Sequence, residues 1–117
     1  MVAATHTVGF IGLGNMGSPM AHNLSLYSKF LSPVQIWNRS RRKSEQFVEQ
    51  NVAKVADSIE SLAQACDIIH MCLANDEVAL SVVRQILAVG KQGLILVDHS
   101  TLFLTTSKLL LDEANSH

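Results

Sequence analysis

The 117-residue sequence is poor in the residues that crosslink, stiffen or heavily charge a chain. It contains two cysteines, two prolines and one tryptophan, and only 16% of its residues are charged. With 48% apolar residues it has too much core-forming material for a disordered tail. Cys66 and Cys72 have neither metal-ligand nor disulfide spacing. We therefore expect reduced core thiols in an intracellular, cytoplasmic protein.

Long apolar runs are also missing, as are early acidic residues. No run approaches the roughly 20 apolar residues of a membrane span, and the N-terminus lacks the pattern of a secretion signal. The sequence predicts one domain with no membrane segment. Residues 1–44 carry five basic and no acidic side chains, whereas residues 45–117 carry four basic and ten acidic ones. Such a positive first third suits nucleic acid, an acidic partner or a phosphate-bearing ligand.

Short apolar runs alternate with longer amphipathic ones. The short runs indicate buried strands at 7–13, 34–37, 53–56, 68–73 and 94–97. Helices are predicted between them, with a last helix from after Ser100 or Thr101 to about Asn115. Helix-capping patterns occur at Ser40, at Asp57 with Glu60, and at Asn75 or Asp76. This alternation predicts a parallel sheet with right-handed crossovers and helices on both faces.

Four of the six glycines fall within nine residues at the end of the first predicted strand: Gly9, Gly12, Gly14 and Gly17. The last three form a G-x-G-x-x-G motif between a strand and a helix. We expect Gly12 to permit a tight turn, Gly14 to leave room for a pyrophosphate, and Gly17 to let the helix approach the strand. Backbone N–H groups near Asn15 and Met16 would face that anion. The alternative is a glycine-rich turn without a ligand.

A polar and basic segment follows the second predicted strand. Its first residue is Asn38, at the position where folds that select NAD usually carry an acid for the adenosine ribose. Arg39, Ser40 and the basic residues 41–43 follow. These side chains can donate to a 2′-phosphate, and the Arg39 guanidinium can also stack on adenine. The segment favours NADP, and the alternative, a solvated basic helix start, applies above all to residues 42 and 43.

Two more loops, LAND and DHST, leave the carboxyl ends of the fourth and fifth predicted strands. Open α/β sheets bind ligands at this edge. The backbone of Leu73 and Ala74 can line a cofactor there, and the hydroxyls of Ser100 and Thr101 can lie near a nicotinamide. Ordinary helix capping is the alternative for both loops.

The five histidines show no metal-ligand spacing. His70 lies in an apolar run, so we expect a core position for it. His99 is the histidine beside a candidate site, but Ser100 and Thr101 explain that loop without it. We therefore assign neither a catalytic residue nor a metal site.

These motifs resemble the β-hydroxyacid dehydrogenase superfamily of 3-hydroxyisobutyrate and 6-phosphogluconate dehydrogenases. FIGLGNMGSPMAHNL at 10–24 is similar to its N-terminal signature, and NRS at 38–40 to its NADP-selecting members, which include glyoxylate and succinic semialdehyde reductases. DHST is similar to its D-x-S-T motif. The resemblance implies that Ser100 meets a substrate carboxylate and that Thr101, Leu73 and Ala74 meet the cofactor. Leu104 stands where the family has a proline.

Residues and resemblance together predict an α/β fold, a Rossmann-type doubly wound parallel sheet of about five strands over residues 1–117. We expect an NADP(H)-binding domain of an oxidoreductase acting on small hydroxy acids or their carbonyl partners. The alternative is a non-catalytic dinucleotide-binding module or pseudoenzyme.

The resemblance also sets expectations about partners. The family's catalytic lysine and helical substrate domain lie beyond the motifs found here, so we expect a carboxylate-bearing substrate only together with that domain. A nucleic-acid partner is disfavoured by the net charge of −1 and by the lack of a recognition motif. Apolar surface around Leu109, Leu110 and Leu111 predicts self-association.

Overall fold

The computed structural model describes residues 6–27, 32–102 and 104–116. Within these ranges five strands alternate with five helices. The strands are β1 Val8–Ile11, β2 Val34–Trp37, β3 Ala53–Val55, β4 Ile68–Met71 and β5 Ile95–Asp98. The helices are α1 Gly17–Ser25, α2 Arg41–Gln50, α3 Ile59–Ala65, α4 Asp76–Val89 and α5 Leu104–Asn115. The predicted alternation is confirmed, with strands shorter than several of the apolar runs.

All strand pairs of the sheet are parallel, in the order β3-β2-β1-β4-β5. The chain therefore moves from β1 outward to β3 and then crosses back over β1 to β4. This reversal confirms the Rossmann-type doubly wound fold. The reversal also moves the loops after β1 and β4 apart. Open α/β sheets form a ligand crevice between two such loops.

Alternation along the strands divides the apolar residues between two faces of the sheet. Phe10 packs with Ala21 of α1 and Phe47 of α2. Its neighbour Ile11 faces the other way, into a cluster built from α3, α4 and Leu110 of α5. Each face is thus covered by its own set of helices, as right-handed crossovers require.

The two thiols differ in their surroundings. Cys66 is buried in the cluster under α3 and α4, and this burial raises its pKa to about 12. Cys72 is half-buried, and its pKa is raised by burial and then by the charge of Asp98. Both are free, as expected, and both are held in the protonated, unreactive form.

The cap of α3 corrects the sequence analysis by one residue. Ser58, not Asp57, accepts the N–H of Ser61 at 3.0 Å, and Ser61 Oγ accepts the N–H of Ser58 at 3.1 Å. Two hydroxyls thus close the capping box that Asp57 and Glu60 were expected to form. Asp57 instead lies 3.7 Å from a guanidinium nitrogen of Arg41. The cap of α4 is Asn75, whose Oδ1 accepts the N–H of Val78 at 2.9 Å, in agreement with the sequence.

The apolar surface of α5 is smaller than expected. Leu109 and Leu111 are exposed, but Leu110 is only 8% exposed because it packs on the α3 and α4 cluster. In the part of the chain that the structure describes, no helix combines the length and apolar character needed to cross a membrane.

Candidate functional site

A cleft of about 480 Å³ lies at the carboxyl edge of the sheet, between the loops that follow β1, β2, β4 and β5. It brings together eleven of the twelve predicted site residues: Gly12, Gly14, Asn15, Met16, Gly17, Asn38, Arg39, Leu73, Ala74, Ser100 and Thr101. Ser40 is the exception, because it lies at the start of α2, outside the cleft wall. The loops come from separate parts of the sequence, and the strand order brings them together at one edge of the sheet.

Six further residues line the cleft: Trp37, Lys43, Cys72, Asn75, Val78 and His99. Lys43 belongs to the basic segment that the sequence offered to a 2′-phosphate or to solvent, and the other five were not assigned to the site. Each lies within a few residues of a predicted one, at a strand end or in the first turn of a helix. Extending the loop after β4 into the first turn of α4 would have found Val78.

Two of the three motif glycines are required by the chain itself. Gly12 has φ +101°, and a Cβ on it would lie 2.2 Å from the Cys72 carbonyl oxygen. A Cβ on Gly17 would lie 2.0 Å from the Gly12 carbonyl oxygen. A side chain at Gly12 would push the β1 loop away from the β4 loop, and a side chain at Gly17 would push α1 away from the β1 loop. These glycines build the turn, in the manner that the motif predicts.

Gly14 differs because a Cβ on it would meet no atom within 4 Å. Nothing in the described chain needs this position to be glycine, and the space in front of it belongs to the cleft. The residue lies just before α1, whose positive dipole end points to the same space. The loop therefore offers an open, electropositive surface to an anion.

Asn38 joins the loop after β1 to the loop after β2. Its Oδ1 accepts the N–H of Leu13 at 2.9 Å, and its Nδ2 donates to the Ser40 carbonyl oxygen at 3.2 Å. The side chain thus positions the glycine loop as well as lining the cleft. A carboxylate here could keep the first bond but not donate the second.

The basic segment is divided between the cleft and solvent. Arg39 and Lys43 line the cleft. Arg41 turns away, with its guanidinium 3.3 Å from Glu45 and 3.7 Å from Asp57. Arg39 and Lys43 therefore concentrate positive charge on one wall, and the expected donor role of Arg41 is not supported.

Ser100 ties the loop after β5 to the loop after β4. Its Oγ accepts the N–H of Leu73 at 2.7 Å, and its own N–H donates to Asp98 Oδ1 at 2.8 Å. The Ser100 hydroxyl still has a proton that it can donate into the cleft. Thr101 is exposed beside it.

Ser100→Ala should lower the free energy of unfolding by about 1 kcal/mol, because the half-buried N–H of Leu73 loses its acceptor. Thr101→Ala, one residue further along the cleft wall, should change it by less than about 0.5 kcal/mol. Urea denaturation followed by circular dichroism measures both. Equal stabilities of the two variants would show that the Ser100 bond does not hold the loops together.

The position of His70 differs from the expected core site. It is half-buried, and its Nδ1 lies 3.0 Å from Nε2 of His99, whose backbone N–H donates to the Met71 carbonyl oxygen at 2.8 Å. Burial first and the nearby His99 second lower the pKa of His70. Across residues 6–27, 32–102 and 104–116, no three His, Cys, Asp or Glu side chains are grouped to hold a metal ion.

Comparison with known families identifies the domain. Residues 7–117 match the family described as the NAD binding domain of 6-phosphogluconate dehydrogenase. The chain belongs to this family. It is thus an NAD(P)-binding domain of the hydroxyacid dehydrogenase type, and the resemblance noted in the sequence is confirmed.

Characterised relatives share the domain. Glyoxylate/succinic semialdehyde reductase 2 of Arabidopsis thaliana is 37% identical over 91% of this chain and 29% of its own length. Human mitochondrial 3-hydroxyisobutyrate dehydrogenase is 35% identical over 96% of this chain and 33% of its own length. The 3-hydroxyisobutyrate dehydrogenase of Mycobacterium tuberculosis superposes with a TM-score of 0.86, at 26% identity, over 97% of this chain and 38% of that one. The chain spans about a third of the curated relatives' length.

Proposed function

We propose that residues 1–117 form a domain that binds NADP(H) in preference to NAD(H). The observation that carries this choice is the wall formed by Asn38, Arg39 and Lys43. In a dinucleotide fold that prefers NAD, an acid after the second strand accepts the ribose hydroxyls. Here Asn38 takes that place with its amide bonded to backbone, and two cations lie beside it.

The described residues fit each part of such a cofactor. The open space at Gly14 and the start of α1 suit the pyrophosphate, and Arg39 with Lys43 suits the 2′-phosphate. We assign the loops at Leu73 and Thr101, which line the rest of the cleft, to the nicotinamide. When bound, the dinucleotide supplies or accepts the hydride, while this chain holds and orients it.

We propose the reaction by chemical class, as hydride transfer between the nicotinamide and a small hydroxy acid or its carbonyl partner. The support is the family and the position of Ser100, whose hydroxyl can donate to a substrate carboxylate. The competing function is a dinucleotide-binding module without turnover. Oxidation of NADPH by glyoxylate or succinic semialdehyde separates the two: steady turnover supports the proposed hydride transfer, and NADPH binding without turnover supports the module. We also propose an intracellular, cytoplasmic location, since two free thiols suit a reducing compartment.

Arg39→Ala should weaken NADPH binding about tenfold, since one exposed charge-assisted hydrogen bond to a phosphate is worth about 1.5 kcal/mol. NADH binding should change by less than about twofold, because NADH lacks the 2′-phosphate. Isothermal titration calorimetry of the purified chain measures both.

Arg41→Ala is the matched control, since it removes the same cation from the same segment but on the side facing Glu45 and Asp57. NADPH affinity should be unchanged in this variant. If the unsubstituted chain binds NADH as tightly as NADPH, the proposed preference for NADP(H) is wrong, although the chain would still contain a dinucleotide site.

A further inference from the structure

A second, more apolar groove of about 570 Å³ lies beside α1. Phe10, Met20 and Leu24 give it apolar walls, and His70 and His99 contribute its nitrogen atoms. His99 lines both this groove and the dinucleotide cleft. His99 is therefore shared by the two cavities, whereas its partner His70 lines only the groove.

The two imidazoles are joined edge to edge. Nδ1 of His70 and Nε2 of His99 are 3.0 Å apart, the ring planes differ by 7°, and the ring centroids are 5.3 Å apart. Such an N–H···N bond needs one nitrogen as donor and the other as acceptor. The bond survives when the pair is neutral or carries one extra proton. It is lost when both rings are fully protonated, so the pair can hold one extra proton, but not two, and keep the bond.

The described side chains that line the groove around the His70–His99 pair offer no opposite charge to a proton bound there. Tyr27, just after α1, and Cys72, after β4, are the other titratable side chains nearby, and neither is a carboxylate. Asp98 of β5 points to the opposite face, where its Oδ1 accepts the N–H of Ser100. Among the described residues that line the groove there is no carboxylate.

The charged groups of the cleft add to this imbalance. Arg39 and Lys43 are cations that share the cleft with His99. Among the described residues that line the cleft and the groove, no acidic side chain thus favours the charged form of the pair, in keeping with the lowered pKa of His70. An anion in the cleft would supply the missing opposite charge.

We propose that the His70–His99 pair is a proton-binding part of the dinucleotide site, so that the anionic cofactor binds together with one proton from solvent. The inference rests on the proposed function. Bound phosphates raise the proton affinity of the pair, so the complex has the higher pKa. Affinity is then greatest below the pKa of the free pair, and the gain disappears above the pKa of the complex. A unit charge on the wall of the cleft that holds an anionic cofactor corresponds to about a fivefold change in Kd.

The test is calorimetric titration with NADPH at pH 6, 7 and 8. The variants are His70→Gln and His99→Gln, with His22→Gln as the control. His22 is a histidine of α1 that bonds to Asn51 and lines neither the cleft nor the groove. The 2′-phosphate of NADPH itself titrates near pH 6, but it does so equally with every variant. The quantity of interest is therefore the difference in pH dependence between variants.

We expect the chain and His22→Gln to gain about fivefold more affinity between pH 8 and pH 6 than His70→Gln and His99→Gln. Equal pH dependence in all four proteins would overturn the inference and leave the proposed function intact. Absence of NADPH binding at every pH would overturn both.

A second measurement needs no variant to fold. Nuclear magnetic resonance titration of the histidine ring protons gives the pKa of each imidazole with and without NADPH. The inference expects the pKa of one ring of the pair to rise on binding while that of His22 stays constant. Unchanged values for both His70 and His99 would refute it.

Discussion

Gly17→Ala should lower the free energy of unfolding by about 3 kcal/mol or more, or prevent folding altogether. In an exposed helix the same substitution stabilises by up to about 1 kcal/mol. Here the added Cβ would lie 2.0 Å from the Gly12 carbonyl oxygen and 3.0 Å from its carbon. Both atoms are backbone, so neither can rotate away. Gly12 cannot retreat either, because its N–H donates to the Trp37 carbonyl oxygen at 3.0 Å.

Gly14→Ala is the matched control, since it adds the same methyl group three residues earlier. With no atom within 4 Å of that methyl, stability should change by less than about 0.5 kcal/mol. Denaturant titration of both variants gives the comparison. If Gly17→Ala proves as stable as Gly14→Ala, the contact between α1 and the β1 turn is looser than the structure shows.

Local signals were sufficient to predict the strands, the helices between them and their parallel pairing. The four residues of β1 are all buried, and the run that contains them is apolar throughout. The glycines that follow predict a turn, and Gly12 adopts the positive φ of +101° that this turn requires. Parallel pairing then follows from the helices between the strands. Each step needs only residues that are near one another in sequence.

The contacts that shape the cleft could not be predicted in the same way. Asn38 bonds to Leu13, 25 residues away, and Ser100 to Leu73, 27 residues away. Both bonds exist because β1 lies between β2 and β4, and β4 beside β5. A sequence pattern can place a polar residue at a strand end, but the choice between ligand contact and loop contact depends on the neighbouring strand.

The core position predicted for His70 was wrong for a related reason. An apolar run predicts burial for every residue of a strand, but burial also depends on what covers each face. Ile69 and Met71 face the helices α3 and α4, whereas His70 faces the groove beside α1. The basic segment shows the same effect on a helix: Arg41 and Lys43 are two positions apart, so they point in different directions and only Lys43 reaches the cleft.

Gly14→Val should weaken NADPH binding by about a hundredfold while leaving the fold intact. The branched side chain would fill the space in front of the loop, and the loop backbone cannot move back because Asn38 holds Leu13 and the Ser18 N–H donates to the Gly14 carbonyl oxygen at 3.0 Å. A phosphate would then lose the backbone N–H groups as well as the helix dipole.

The single tryptophan gives a direct readout of this change, since Trp37 lines the cleft and its fluorescence should respond to bound NADPH. Titration of the unsubstituted chain, Gly14→Ala and Gly14→Val should give Kd values that rise with side-chain size. Circular dichroism should show all three equally folded, because the side chains enter empty space. A folded Gly14→Val variant that binds NADPH as tightly as the unsubstituted chain would place the cofactor elsewhere, since no phosphate could then approach the backbone at Gly14.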